Sequence, residues 1–172
     1  VRRVTQGGVV SRVAGNYGAA GSAFGDALDS ARFDAPIDVA VAANDDIFVL
    51  DAANRTISKI SPGANGRDTV SLVAASFDDP RALALDEAGN LYVAEGTLQQ
   101  IVRIRPSGER SVIAGQAGVT GFAPGVLPGA LAMPALAGLV QSADNIVSLK
   151  VRNNRLLMTM EKGIVQISPL PQ

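Results

Sequence analysis

Apolar and polar positions along this chain fall into short segments, and three of those segments recur in the same order. Pro36-Ile37-Asp38-Val39-Ala40-Val41 reappears as Pro80-Arg81-Ala82-Leu83-Ala84-Leu85. Asp45-Asp46-Ile47-Phe48-Val49-Leu50-Asp51 reappears as Gly89-Asn90-Leu91-Tyr92-Val93-Ala94-Glu95. Arg55-Thr56-Ile57-Ser58-Lys59-Ile60-Ser61-Pro62 reappears as Gln99-Gln100-Ile101-Val102-Arg103-Ile104-Arg105-Pro106. The spacing is 44 residues throughout, with no gap. A more worn third copy follows at Asn145–Leu149, Arg155–Met160 and Gly163–Pro169.

Each segment is rich in Val, Ile, Leu and aromatics and is bounded by Gly, Asn, Asp or Pro, which predicts short β-strands. Alternation is clearest in the third strand, where Ile57, Lys59 and Ser61 share one side and Thr56, Ser58 and Ile60 the other. The first two strands are more continuously apolar, as expected of strands covered on both faces. One further strand separates the copies, at Val9–Ala14, Val70–Ala74 and Arg110–Ala114. Asn44-Asp45-Asp46 and Ala88-Gly89-Asn90 are tight-turn sequences, and Pro62-Gly63 and Ser107-Gly108 mark the next hairpin. No amphipathic helix is predicted. Four short strands in about 40–45 residues is the period of a β-propeller blade.

Composition narrows the chemistry. At 172 residues, 47% hydrophobic and 18% charged, the chain holds enough apolar material for a core and too little charge for disorder. Fifteen basic against sixteen acidic residues argue against a nucleic-acid surface. The small basic cluster of Lys150, Arg152 and Arg155 does not change that balance. Absence of cysteine and histidine removes disulfides, structural zinc sites and every Ser-His-Asp or Cys-His catalytic arrangement. No run approaches the roughly 20 apolar residues of a membrane span, and no signal peptide is expected in the given chain. Twelve Arg against three Lys, with much Ala and Gly, hint at a bacterial source; an exported or periplasmic setting is slightly favoured over the others.

The repeated segments resemble the NHL-repeat family of β-propellers. The resemblance rests on Gly25-Asp26 and Ala31-Arg32-Phe33, the Pro36-led strand, Asp46–Asp51, and Asn54–Ile60, with a second copy at Asp86–Glu95. It implies a Gly-rich loop, a Pro-led strand, a Gly-Asn turn, an apolar-aromatic strand ending in an acid, and an Asn-basic strand. This chain departs from the pattern at Arg55, where the family often has histidine, and at Leu98-Gln99, where the Asn-basic pair is lost. Six-bladed relatives include lactonases and lyases with an axial metal; without histidine, only a carboxylate-and-amide calcium site is open to this chain.

Counting strands gives an all-β fold of about three four-stranded blades, at 9–74, 80–114 and 145–169, in one propeller segment spanning 1–172. A long Gly/Pro/Ala loop is expected at 115–134, and Val9–Ala14 is expected to complete the last blade. Closed propellers have typically 4–8 blades. Three blades therefore read as half of a six-bladed ring or a fragment of a longer propeller. Their apolar flanks call for a covering protein partner or a second copy, since soluble monomers rarely expose such patches.

Arg32, Asp34, Asp38, Asp51, Asn54, Arg55, Arg81, Glu95 and Gln99 fall on loops expected at one end of the blades. They form a candidate polar binding mouth; acids and amides at repeated turns also serve to cap backbone groups. The Gly15–Gly21 loop lacks the following Lys-Ser/Thr and helix of a phosphate cradle and reads as a flexible surface loop. Asp45-Asp46 and Asp78-Asp79 are calcium candidates by ligand type and solvated turns by context. Asn54-Arg55-Thr56 fits a glycosylation triplet, a pattern that also arises by chance. The resulting expectation is a non-catalytic binding or scaffold module, without cofactor, for a protein or carbohydrate partner. The alternative is a calcium-type lactone hydrolase or lyase in a ring completed elsewhere.

Overall fold

The computed structural model describes residues 1–98, 100–115, 146–160, 163–168 and 170. Fourteen strands run along the described residues, in chain order β1 (Arg2–Val4), β2 (Val10–Arg12), β3 (Gly25–Asp26), β4 (Pro36–Val41), β5 (Ile47–Asp51), β6 (Thr56–Ser61), β7 (Thr69–Ala74), β8 (Pro80–Leu85), β9 (Leu91–Glu95), β10 (Gln100–Ile104), β11 (Arg110–Gly115), β12 (Ile146–Arg152), β13 (Arg155–Met160) and β14 (Gly163–Ile167). One 3₁₀ turn, Ala64–Gly66, interrupts the β6–β7 connection. No helix among the described residues is long and apolar enough to cross a membrane. Two compact units divide the chain, Val1–Ser76 and Phe77–Gln172.

In the first unit, β4 to β7 form an antiparallel blade, and β3 adds a fifth strand at the β7 edge. Its core joins Val49, Ile60 and Val70 on one sheet face to Ala14, Ala27, Ala31 and Phe33 of the preceding segment. The segment that follows the expected Gly15–Gly21 surface loop is thus a packed layer. Ala27 and Ala31 are fully buried, because their small side chains let the backbone lie close against the sheet; residues 16–18 remain exposed. Gly15 shows why glycine is needed there. Its φ is +80°, and a Cβ at that position would sit 2.8 Å from Phe33 Cδ2.

In the second unit, β8 to β11 repeat the blade, and β12 to β14 form a three-stranded sheet. The two blades share a register: Pro36 and Pro80 each pair with the acid ending the next strand, and each first strand carries a bulge just after its proline. Ala82, Ala84, Tyr92, Ala94 and Ile101 of one sheet pack with Leu149, Leu156, Met158 and Ile167 of the other in a single buried cluster. Alanines on β8 permit this approach, and the bulkier residues of β12–β14 fill the space.

Within the first unit Val10–Arg12 pairs with Arg2–Val4 as a hairpin. The Gly/Pro/Ala stretch lies outside the described residues from 116 to 134, while Gly115 ends β11. The chain has the all-β fold of part of a β-propeller.

Because both its positive φ and the contact with Phe33 disfavour a side chain, Gly15→Ala should cost about 1–3 kcal/mol of stability. Urea denaturation measures this, and an unchanged midpoint would contradict the packing of Phe33 on Gly15.

Candidate functional site

The recurring acids sit at the ends of the second blade strands and reach back to the loop that leads into the first. Asp51 Oδ2 accepts the Asp34 backbone N–H at 2.9 Å and the Asn54 side-chain amide at 2.8 Å. That same amide donates to the Gly21 carbonyl at 2.6 Å, so the Gly-rich segment is tied into the network. Two backbone bonds zip the same loops together, Ala52 N–H to Ala35 O at 3.1 Å and Ala53 N–H to Asp34 O at 3.2 Å.

The second unit repeats this arrangement with different side chains. Glu95 Oε1 accepts the Asp78 backbone N–H at 2.7 Å, and Oε2 accepts the Gln100 amide at 2.6 Å. Gly96 N–H donates to Asp79 O at 2.8 Å, in the place of the Ala52–Ala35 bond. Ala35 and Asp79, the residues before the two prolines, hold φ of +54° and +52°. Such values are uncommon outside glycine and need a surrounding structure to maintain them. The carboxylate bond to the preceding N–H is part of that structure.

Other singled-out residues are engaged close to home. Arg32 donates to the Asp29 and Ala31 carbonyls at 3.0 and 2.8 Å. Asp38 lies at the β4 bulge, where its Oδ1 accepts the Val39 N–H at 2.8 Å. Arg55 is exposed, in the turn after Asn54, with φ +58°. Arg81 makes two bonds to Asp79 Oδ2, at 2.9 and 2.7 Å. Gln99 lies outside the described residues. The structure brings Asp51 and Asn54 together in the first unit and places Glu95 with Gln100 in the second.

Gln100 was not among the residues singled out, and Asp79 was considered only as a calcium candidate. Nor was the half-buried network around Asp86, whose Oδ2 accepts the Asn90 amide at 2.8 Å and the Tyr92 hydroxyl at 2.9 Å. Burial, with Asp86 adding to it, pushes the Tyr92 hydroxyl well above its usual range. The Asp-x₃-Asn-x-Tyr spacing across the Gly89 turn was the available signal for that network.

Electrostatically, the paired acids are spoken for rather than gathered. Asp46 pairs with Lys59 at 3.5 Å and accepts the Asn44 amide at 3.0 Å. No group of three or more His, Cys, Asp or Glu able to hold a metal ion occurs among the described residues. Asp51 is 1% exposed, and its Oδ1 is buried without a hydrogen-bond partner. Burial raises its pKa, against the opposing pull of the Asp34 N–H and Asn54. A cleft of about 450 Å³ in the first unit is lined by Arg2, Arg12, Asn16, Tyr17, Phe33 and Asp34 among others.

No family profile matches the sequence. No curated protein matches it either. Solved structures do. A putative gluconolactonase is similar with a TM-score of 0.54 at 17% identity, over 96% of this chain and 51% of that one. A luciferin-regenerating enzyme gives 0.54 at 12% identity, over 92% and 43%. A streptogramin B lyase gives 0.51 at 14% identity, over 99% and 48%. This chain therefore spans about half the length of the propellers it matches, and the likeness is one of fold.

Removing either acid strands buried donors, so Asp51→Ala and Glu95→Ala should each cost about 1–3 kcal/mol in urea denaturation. Asp51→Asn keeps an acceptor oxygen and should lose less. A raised folded pKa places Asp51's stabilising contribution below the ordinary carboxylate pKa, and that contribution is lost as pH rises through the folded value. Asp51→Asn does not titrate, so it should trail the wild type by more at about pH 3 than at about pH 6. A gap that widens with pH would contradict the burial of this carboxyl.

Proposed function

We propose that this chain is a non-catalytic β-propeller module of the NHL-repeat kind that binds a protein partner, a second copy of the chain, through exposed blade faces and adjoining loops. The observation that carries this reading is the row Ile37, Val39 and Val41 on β4. Val39 is 49% exposed, while Leu83, its repeat counterpart on β8, is 3% exposed. A position used for packing in one blade is thus apolar and uncovered in the other. Exposed apolar rows of this kind favour protein contacts over carbohydrate, whose hydroxyls call for polar partners. The side chains with catalytic potential, Asp51 and Glu95, are occupied in holding backbone.

A second reading draws on the gluconolactonase and streptogramin B lyase among the similar structures. It is a calcium-type lactone hydrolase or lyase whose ring is completed by other residues or chains. An oxygen cage for a divalent ion needs several converging carboxylates or carbonyls. Among the described residues no three His, Cys, Asp or Glu gather, so on this reading carbonyls, amides or residues elsewhere supply the remaining ligands. Calcium-dependent turnover of a lactone by the purified chain would replace the binding reading with this one.

Sedimentation tests the first reading directly. Wild-type protein should run above the mass of one chain, and the Ile37→Ser, Val39→Ser, Val41→Ser variant should return to that mass with an unchanged circular dichroism spectrum. A wild type that sediments as a single chain, identical to the variant, would contradict it.

A further inference from the structure

The third sheet, β12–β14, carries the blade pattern with one face rewritten. Its first strand bulges between Ile146 and Ser148, as β8 bulges between Pro80 and Ala82. Setting bulge on bulge puts Ser148 in the place of Ala82 and Lys150 in that of Ala84. On the second strand Thr159 takes the place of Ala94, and Leu157 that of Tyr92. In the second blade those four residues are at most 5% exposed, packed with the third sheet in one cluster. Their counterparts are uncovered: Lys150 and Thr159 are exposed, Ser148 and Leu157 half-buried. The opposite face keeps its apolar pattern, with Leu149, Leu156 and Met158 in the core.

Positive charge gathers on the rewritten face. Residues two apart on a strand share a side, so Ser148, Lys150 and Arg152 project together. Arg155 and Thr159 join them from β13, Arg155 directly opposite Arg152 and Thr159 opposite Ser148. Asn153 and Asn154 hold φ of +51° and +57°, as in the tight hairpin turns that set flanking residues side by side. Leu170 N–H donates to the Asn154 carbonyl at 3.1 Å and ties the turn down. Lys150, Arg152 and Arg155 are all exposed, and the described residues of this sheet include no Asp or Glu. Like charges directly opposite one another destabilise a sheet, so the arginine pair stays unfavourable until an anion lies across it. Ser148 Oγ and Thr159 Oγ1 are 2.7 Å apart, and exposed Gln166 stands opposite Leu157 on β14. A further blade packed here as this sheet packs on β8–β10 would bury the Lys150 ammonium where Ala84 sits, at a large desolvation cost. The face is therefore made for water or for anions, whatever adjoins it.

We propose that this face binds an acidic polysaccharide, a chain of uronic acid units. Its carboxylates lie across Lys150, Arg152 and Arg155, where charge-assisted bonds form. Its hydroxyls exchange hydrogen bonds with Ser148, Thr159 and Gln166. Charges spread along a sheet face suit a polymer, whereas a small ligand calls for a concave site. The sheet carries no aromatic residue on which bases could stack, and the chain's net charge is −1, both of which speak against nucleic acid. Hydroxyl, amide and cationic side chains replace the aromatic anchors of a protein interface. This surface is separate from the β4 row and goes beyond the self-association proposed for it.

The probe is a fluorescently labelled oligogalacturonate, titrated with the full chain and followed by fluorescence anisotropy. Binding should saturate and should weaken as salt rises, because the contacts are exposed charges. The Lys150→Gln, Arg152→Gln, Arg155→Gln variant should bind about tenfold more weakly or worse, with an unchanged circular dichroism spectrum. Arg152→Gln alone is the milder variant. It should weaken binding and also raise the urea midpoint of the free chain, since it removes the repulsion from Arg155. No binding by the wild type, binding that the glutamine variants retain, or a midpoint that falls in Arg152→Gln would overturn the proposal. Equal or tighter binding of polyglutamate or polyuridylate would overturn it too, in favour of a protein or a nucleic acid. The β4 serine variant leaves this sheet intact, so failure here and failure of the self-association reading register in separate experiments.

Discussion

A carboxylate bond to one backbone N–H organises each blade. The acid closing the second strand, Asp51 or Glu95, accepts the N–H of Asp34 or Asp78, two residues before the proline that starts the first strand. That bond spans 17 residues in both blades. It holds the approach to the first strand against the end of the second, where a residue with positive φ must precede proline. Buried N–H groups left unpaired are costly, so the acid is required by the fold before any ligand is considered. The bond is conserved in geometry between the blades although its residues change: a longer acid in the second blade is matched by an amide drawn from Gln100 rather than from Asn54's counterpart.

Much of this was legible in the residues. Apolar strands and polar turns keep step over 44 residues, so β4 and β8 begin at the prolines that the pattern marked. Asp51 and Glu95 were visible as recurring acids, yet their partners were not, because a backbone N–H leaves no mark in a sequence. Gln99 was singled out and Gln100 holds Glu95; neighbouring glutamines are told apart only by which side of a strand each one faces. Ala27 and Ala31 looked like loop residues, since alanine and glycine carry little periodic signal even when fully buried. The β1–β2 hairpin escaped notice because Arg2-Arg3-Val4 is a weak strand signal, and its likeness to β10–β11 appears at 100 residues rather than 44.

Function follows from what the blade chemistry leaves over. The polar side chains at the strand ends are consumed within their own units, by backbone N–H groups, amides and the Arg81–Asp79 pair. Among the described residues the β4 row is apolar and exposed, whereas Leu83, the counterpart of Val39 in the second blade, is buried. Surfaces of that kind recognise polypeptide more readily than small polar molecules.

Amide exchange at Asp34 and Asp78 tests the central claim most directly. If the acids organise the blades, both amides exchange slowly in the wild type, and each is released selectively, Asp34 by Asp51→Ala and Asp78 by Glu95→Ala. Rapid exchange of these amides in the wild type, or protection that persists after the acid is removed, would contradict the account.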